Sequence, residues 1–366
     1  MNERLKKVTT WLEEENIDGA FFTSTENVFY LSGFYTDPHE RLLGLLASKK
    51  GDAILILPKM EATQARDAGW EAEMLSYEDH ENPWEILGQK ISELELQGAQ
   101  EVAIEKEVLT YERAENLSEI FEKASFVDGS KKMNELRLIK EEKEIEILRK
   151  AAQLADYGVE VGVKALKEGV TEMDVVATIE YELKRKGIRE MSFSTLVLFG
   201  EKSGQPHGNP GNRTLKKGDF VLFDLGVVLD GYCSDITRTV VYQSVSDKQR
   251  EIYDTVLRAN NASLKESLPG TRIGDLDIVA RDTIERAGYG EYFTHRIGHG
   301  LGISVHEFPS MSKNNDGALK EGMVYTIEPG IYLSDLGGVR IEDDVLVTKD
   351  GYETLTKFPK ELLVIS

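Results

Sequence analysis

The chain has 366 residues, of which 40% are hydrophobic and 30% charged, so its composition excludes a disordered protein and predicts two or three domains. Its 65 acidic and 44 basic residues give a net charge of −21, which argues against non-specific binding to nucleic acid or anionic membranes. With no membrane-length apolar run, no N-terminal secretory signal and one cysteine, Cys233, we expect a cytoplasmic protein with no nucleic-acid or membrane partner.

Helical and strand patterns alternate through the first third of the chain. They predict helices at 2–15, 59–68, 83–96 and 110–123, strands at 53–57 and 102–104, and short apolar runs at 18–23, 27–34 and 42–48. Asp128-Gly129-Ser130 is a turn signal. We therefore place a domain boundary there, giving an α/β domain over residues 1–130 and a second domain over 131–366.

The second domain begins with a predicted long helix at about 136–167. Thr171 and Ser246 have the sequence pattern of helix N-caps. The remaining pattern predicts helices at 171–187, 246–267 and 274–287, and strands at 193–200, 219–228, 232–242, 323–333, 338–347, 352–356 and 361–365. The fold class is therefore mixed, α/β (α+β).

Two aspartates lie within apolar strand patterns on either side of a hairpin signal. If Asp230 and Gly231 form a two-residue turn, residue 226 pairs with Asp235. Asp224 and Asp235 then share a face as diagonal neighbours, about 7–8 Å apart. A divalent cation between them would remove their repulsion. A pair of solvated aspartates on an edge hairpin is the alternative.

A second acidic pair, Glu328 and Glu342, follows apolar residues in the same way. Strand alternation places Arg340 on the same face as Glu342. The alternative for this pair is a surface hairpin with an Arg–Glu ion pair.

Three histidines, His295, His299 and His306, lie among three glycines. We expect the glycines to let the backbone approach a substrate or metal closely. The histidine spacings do not match the common zinc-protease pattern. Four carboxylates with one or two imidazoles suit Mn²⁺, Co²⁺ or Zn²⁺, and two divalent ions would balance the four negative charges.

These motifs resemble those of the pita-bread metallopeptidases, a family that includes methionine aminopeptidase, aminopeptidase P, prolidase and creatinase. The resemblance covers the whole chain and implies a creatinase-like N-terminal domain followed by a pita-bread catalytic domain. It implies five metal ligands within D-L-G, S-D-x-T-R, G-H-G-x-G, x-E-P-G and R-x-E-D: Asp224, Asp235, His299, Glu328 and Glu342. Two divalent ions, Mn²⁺ first among the candidates, are expected per subunit.

The prolidase branch is the most similar, which implies hydrolysis of Xaa–Pro dipeptides by a metal-bridging hydroxide. Glu328 would transfer the proton, and His207, His306 and Arg340 would complete the catalytic residues. The alternatives are an aminopeptidase P-like enzyme that cleaves longer peptides and a non-catalytic pita-bread binding module.

Substrate binding is expected to involve His207, His295, Arg296 and His306. The segment from Gly33 to Arg41 resembles a loop of bacterial prolidases that reaches the partner's active site in a homodimer. It implies substrate-gating roles for Asp37, His39, Glu40 and Arg41; a simple polar loop is the alternative. One departure concerns Ser310, because some prolidases carry an arginine soon after H-E-x-P, whereas residues 307–339 contain none.

Overall fold

The computed structural model describes residues 3–366, and the chain divides into two compact units, Met1–Leu136 and Arg137–Ser366. The boundary that we predicted, between residues 130 and 131, lies at the start of the helix Ser130–Leu138.

The first unit contains a six-stranded sheet with helices between its strands. Its elements are α1 Glu3–Glu14, β1 Gly19–Phe22, α2 Thr25–Ser32, β2 Gly44–Ser48, β3 Ala53–Pro58, α3 Ala62–Asp67, β4 Glu73–Tyr77, α4 Pro83–Glu93, β5 Glu101–Ile104, α5 Tyr111–Ile120, β6 Ser125–Asp128 and α6 Ser130–Leu138. The strand order is β4-β3-β2-β1-β5-β6. The sequence pattern missed β4 and β6, because these edge strands bury few side chains.

The second unit carries the longer helices and most of the strands. Its elements are α7 Glu142–Ala165, α8 Glu172–Arg185, β7 Glu190–Met191, β8 Leu196–Phe199, β9 Phe220–Leu225, β10 Val227–Leu229, β11 Tyr232–Cys233, β12 Ile236–Tyr242, α9 Asp247–Lys265, α10 Ile273–Arg286, β13 Gly298–Gly300, β14 Glu307–Met311, β15 Val324–Ile327, β16 Gly330–Leu333, β17 Gly337–Arg340, β18 Asp343–Thr348, β19 Gly351–Thr354 and β20 Val364–Ile365. The predicted N-caps Thr171 and Ser246 are confirmed, since each side chain accepts a backbone N–H three residues later.

The prediction of one helix over 136–167 is wrong, because the chain breaks between α6 and α7. Ile139 forms an antiparallel bridge with Met323, and the Lys140 N–H donates to the Gly322 carbonyl at 2.9 Å. Glu141 then acts as the N-cap of helix α7, and its N–H donates to the Glu144 side chain at 2.8 Å. A tertiary contact therefore overrides a continuous helical pattern.

The first hairpin of the second unit has the predicted register. Leu229 pairs with Tyr232, and Asp224 pairs with Thr237. Helices α7 and α8 pack on the face of β9 that carries Phe223 and Leu225. Because side chains alternate along a strand, Asp224 faces the opposite way.

The second hairpin is formed by β15 and β18, continued by β16 and β17. Ile327 pairs with Asp343 and Gly330 with Arg340, so the two ladders share one register. Glu328 and Glu342 lie opposite each other at the interruption between the ladders. Helices α9 and α10 pack against this hairpin around a second apolar core.

Candidate metal centre

The five candidate ligands all lie in the second unit and line one cavity of about 390 Å³. Two come from the first hairpin, two from the second, and one from β13. The local fold thus brings together side chains from residues 224 to 342.

Backbone hydrogen bonds fix the acidic residues in place. The Asp235 N–H donates to Asp344 Oδ2 at 3.1 Å. The Glu342 N–H donates to the Thr237 carbonyl at 3.1 Å, and the Thr237 hydroxyl donates to Glu342 Oε2 at 2.6 Å. The Glu328 N–H donates to the Ile297 carbonyl at 2.8 Å.

His299 is held on a central strand between β14 and β15. Its neighbours Gly298 and Gly300 have no room for a side chain, because a Cβ would overlap the carbonyl oxygens of Thr326 and Phe308 respectively. These two glycines therefore admit the adjacent strands, and our expectation that the glycines also let a substrate or metal approach stays a prediction.

The His299 ring presents an unprotonated nitrogen to two carboxylates. Its Nδ1 lies 3.1 Å from the Gly300 carbonyl, which can only accept, so Nδ1 carries the proton. Its Nε2 lies 3.8 Å from Asp235 Oδ2 and 3.5 Å from Glu328 Oε1. When both carboxylates are ionised, three acceptor atoms therefore face one another, which is the arrangement a cation satisfies; the Thr326 hydroxyl donates to Glu328 Oε1 at 3.4 Å.

Three of the candidate ligands form a compact group in the part of the chain that the structure describes. One atom each from Asp235, His299 and Glu342 lies within 4.8 Å of the others. Asp235 Oδ1 is buried and has no hydrogen-bond partner among the described residues. These donors fit a divalent cation, which prefers carboxylate oxygen and neutral imidazole.

Burial makes the charged forms of these acids costly in the absence of a cation. Desolvation raises the pKa of Asp235 and Glu342 well above the usual range; the charge of Glu342 adds to the rise for Asp235, and the charge of Glu328 adds to the rise for Glu342. Desolvation raises the pKa of Glu328 to about 7. Burial lowers the pKa of His299 to about 3, so its ring is neutral at physiological pH.

Arg340 is the buried cation of the cavity wall. It donates through Nη2 to Asp224 Oδ2, through Nε to the Thr237 hydroxyl at 3.0 Å and through Nη1 to the Tyr332 hydroxyl at 3.0 Å. The side chain is only 5% exposed, so the alternative of a surface hairpin with an Arg–Glu ion pair is wrong.

Tyr332 is a cavity residue that the sequence reasoning missed. Its hydroxyl lies 2.8 Å from His295 Nε2, while His295 Nδ1 lies 2.8 Å from the Arg296 carbonyl. The proton therefore sits on Nδ1, the Tyr332 hydroxyl donates to Nε2, and Arg340 donates to the Tyr332 oxygen. One sequence feature could have identified it: Tyr332 lies four residues after Glu328, on a strand that pairs with the strand of Arg340.

Three further predicted residues line the same cavity. The rings of His306 and His299 have centroids 4.0 Å apart. Burial and the Arg296 charge lower the pKa of His306. Arg296 donates to the Ser310 hydroxyl at 3.2 Å, and His207 is an exposed residue of the cavity rim.

The predicted gating segment lies in the first unit. Arg41 pairs with Asp79 through two hydrogen bonds at 2.8 and 3.1 Å and with Glu40 at 3.2 Å. The His39 N–H donates to Asp37 Oδ1 at 2.9 Å. Gating by these residues stays a prediction.

In the second unit, two hairpins supply four carboxylates to the cavity that also holds His299. Together with the α/β unit that precedes it in the chain, this arrangement defines a pita-bread metallopeptidase. The chain belongs to metallopeptidase family M24, whose model matches residues 146–349, and the Creatinase/Prolidase N-terminal domain model matches residues 4–139. The predictions of family, fold class and enzyme type are confirmed. Among residues 3–366, no helix is both long and apolar enough to span a bilayer.

Relatives extend over the whole chain. A Bacillus subtilis strain 168 protein with the name "Putative dipeptidase YkvY" is 59% identical over 362 residues, 99% of each chain. The Xaa-Pro dipeptidase from Bacillus anthracis is 36% identical with a TM-score of 0.91, covering 99% of each chain. The X-Pro aminopeptidase from Thermotoga maritima MSB8 is 31% identical with a TM-score of 0.87, covering 96% of this chain and 98% of that one.

Proposed function

We propose that this protein is a dinuclear-metal dipeptidase that hydrolyses the Xaa–Pro bond of dipeptides. The observation that carries the proposal is the unprotonated His299 Nε2 facing Asp235 and Glu328 in a buried cavity. The similarity to the B. anthracis Xaa-Pro dipeptidase supports the substrate class.

Two divalent cations would be held by the five candidate ligands, Asp224, Asp235, His299, Glu328 and Glu342. Their four negative charges match the four positive charges of two such ions, and Mn²⁺ suits the oxygen-rich set, with Co²⁺ or Zn²⁺ as alternatives. When bound, the cations lower the pKa of water and so supply a nucleophile at neutral pH.

The protein's own side chains would move the proton and bind the developing charge. Glu328 has no lysine or arginine ion-pair partner in residues 3–366, so it is available to carry a proton from water to the proline nitrogen. Neutral His306, together with His207 of the same cavity, would donate to the carbonyl oxygen of the scissile bond. One such donor contributes about 2.7–4 kcal/mol to stabilisation of the transition state.

Arg296 is our candidate for binding the C-terminal carboxylate of the dipeptide. Both arginines of the cavity are cationic, but Arg340 uses all three of its guanidinium nitrogens on Asp224, Thr237 and Tyr332. Within the described chain, the Ser310 hydroxyl is the one hydrogen-bond acceptor of Arg296, which leaves other donors for a carboxylate.

The test uses chelated protein reloaded with Mn²⁺ and compares Ala-Pro and Leu-Pro with the tripeptide Ala-Pro-Ala. We expect cleavage of both dipeptides, no cleavage before reloading, and a KM for Ala-Pro at least 10-fold higher in Arg296→Ala. Cleavage of the tripeptide alone would instead favour the aminopeptidase P-like alternative, which the T. maritima similarity supports.

Elemental analysis separates the enzyme from a binding module. Two metal ions per chain are expected, whereas none after metal-replete purification would indicate the non-catalytic alternative.

A cytoplasmic homodimer in which Asp37, His39, Glu40 and Arg41 act across the interface also stays a prediction. Light scattering after size exclusion tests the dimer. Kinetics of His39→Ala then test gating, with an altered KM expected in the dimer.

A further inference from the structure

Asn260 is a fully buried polar residue of helix α9 that lies outside the cavity. Its Nδ2 group donates to the Ile327 carbonyl at 3.3 Å and to the Ile341 carbonyl at 3.2 Å. A single side-chain amide therefore bonds both strands of the second hairpin.

The two carbonyls occupy a particular position in that hairpin. Ile327 directly precedes Glu328, and Ile341 directly precedes Glu342. The strand ladder is interrupted here, because β15 ends at Ile327 and β18 begins at Asp343. Within the interruption one long backbone hydrogen bond, from the Ile341 N–H to the Pro329 carbonyl at 3.4 Å, joins the two strands, and Asn260 adds a second link beside the two acidic residues.

The orientation of the Asn260 amide is determined by its partners. Its Oδ1 accepts from Lys360 Nζ at 3.0 Å, and an ammonium group can only donate. The same Nζ lies 2.8 Å from Asp343 Oδ2, while Arg238 Nη2 donates to Asp343 Oδ1 at 2.8 Å. The NH₂ group must therefore face the carbonyls, and an ion-paired network holds it there.

The peptide group that precedes each of the two glutamates is consequently held at both its N–H and its carbonyl. The Glu328 N–H is bonded to Ile297 and the Glu342 N–H to Thr237, while the carbonyl preceding each residue is bonded to Asn260. Without the amide, each of these peptide groups keeps the bond at its N–H and loses the bond at its carbonyl, while the Glu342 carbonyl still accepts from Arg238 Nη1.

We propose that Asn260 is a positioning residue that sets the separation of Glu328 and Glu342 and thereby the affinity of the centre for divalent cations. The inference rests on the proposed function, because it assigns metal-binding roles to these glutamates. Groups that orient metal ligands from outside the ligand set typically change affinity by about 10–100-fold when they are removed. We expect a loss in that range for Asn260.

The experiment is a calorimetric titration of chelated protein with Mn²⁺, using Asn260→Ala and Asn260→Asp. The aspartate keeps the shape and the Lys360 contact but replaces the two donors with an acceptor. The matched control is Ser263→Ala, because Ser263 is equally buried on the same helix and its hydroxyl donates at 2.8 Å to Leu276 of α10, away from the glutamates. Circular dichroism checks folding.

Both Asn260 variants should bind Mn²⁺ at least 10-fold more weakly, whereas Ser263→Ala should bind as the unchanged protein does. The Mn²⁺ concentration for half-maximal Ala-Pro hydrolysis should rise by the same factor, with KM for Ala-Pro unchanged. If neither Asn260 variant folds, Lys360→Met provides the test, because it frees the amide to rotate and should also weaken Mn²⁺ binding.

Unchanged Mn²⁺ affinity in folded Asn260 variants would overturn this inference and leave the proposed function standing. An equal loss in Ser263→Ala would also overturn it, because the effect would then reflect general destabilisation. Failure of the unchanged protein to bind Mn²⁺ would overturn both proposals.

Discussion

Replacing Glu328 with glutamine should change how the stability of the metal-free protein depends on pH. Desolvation raises the Glu328 pKa from 4.5 to about 7, so the folded protein binds this proton more tightly than the unfolded chain does. Between these two values the folded state holds more protons, and the free energy of unfolding falls as pH rises. Glutamine has the shape of glutamate but cannot ionise, so Glu328→Gln removes this decrease in the free energy of unfolding with rising pH.

The size of the effect follows from the shift in pKa. At 1.36 kcal/mol per pKa unit, a rise from 4.5 to about 7 corresponds to about 3 kcal/mol. Glu328→Gln should therefore resemble the unchanged protein near pH 4.5 and exceed its stability by up to about 3 kcal/mol at pH 8. Coupling to Glu342 acts in the same direction, because a neutral residue 328 also eases ionisation of that carboxyl.

The assay is urea unfolding of chelated protein between pH 5 and 8, followed by far-UV circular dichroism. Tryptophan fluorescence is unsuitable, because Trp11, Trp70 and Trp84 all lie in Met1–Leu136, outside the unit of interest. Parallel stability curves for the two proteins across this range would refute the reasoning that burial without a cation strains this carboxyl.

Other substitutions test separate contacts. Tyr332→Phe removes the hydroxyl that donates to His295, and it should lower kcat for Ala-Pro at least 10-fold while elemental analysis shows unchanged metal content. Thr237→Val removes the 2.6 Å hydrogen bond to Glu342 and should weaken Mn²⁺ affinity about 10–100-fold by calorimetry, with normal affinity counting against the assignment. Glu307→Gln removes the buried carboxylate that pairs with Arg137 and Lys140 and should cost about 3–5 kcal/mol of unfolding free energy in urea, far more than an exposed ion pair would.

Local sequence signals predicted the first hairpin well. Asp230-Gly231 specifies a two-residue turn, and a turn of known length fixes the pairing of every residue beyond it. The positions of Asp224 and Asp235 on one face followed from that register. The structure confirms the pairing.

Contacts between distant segments could not be predicted in this way. The break at Lys140 depends on a carbonyl at Gly322, and the bracing by Asn260 depends on carbonyls more than 60 residues away. Neither residue differs from an ordinary helical residue in its own neighbourhood. Their roles become visible only once the strands and helices are packed.

The crowding around His299 has a consequence for redesign. The residues on either side of it, Gly298 and Gly300, cannot be replaced by any residue that has a Cβ atom, because carbonyl oxygens of the two flanking strands occupy the Cβ positions. Libraries randomised at Gly298 and Gly300 should return only glycine at both positions. An engineer who seeks a different metal preference must therefore vary the opposite walls of the cavity and leave this strand alone.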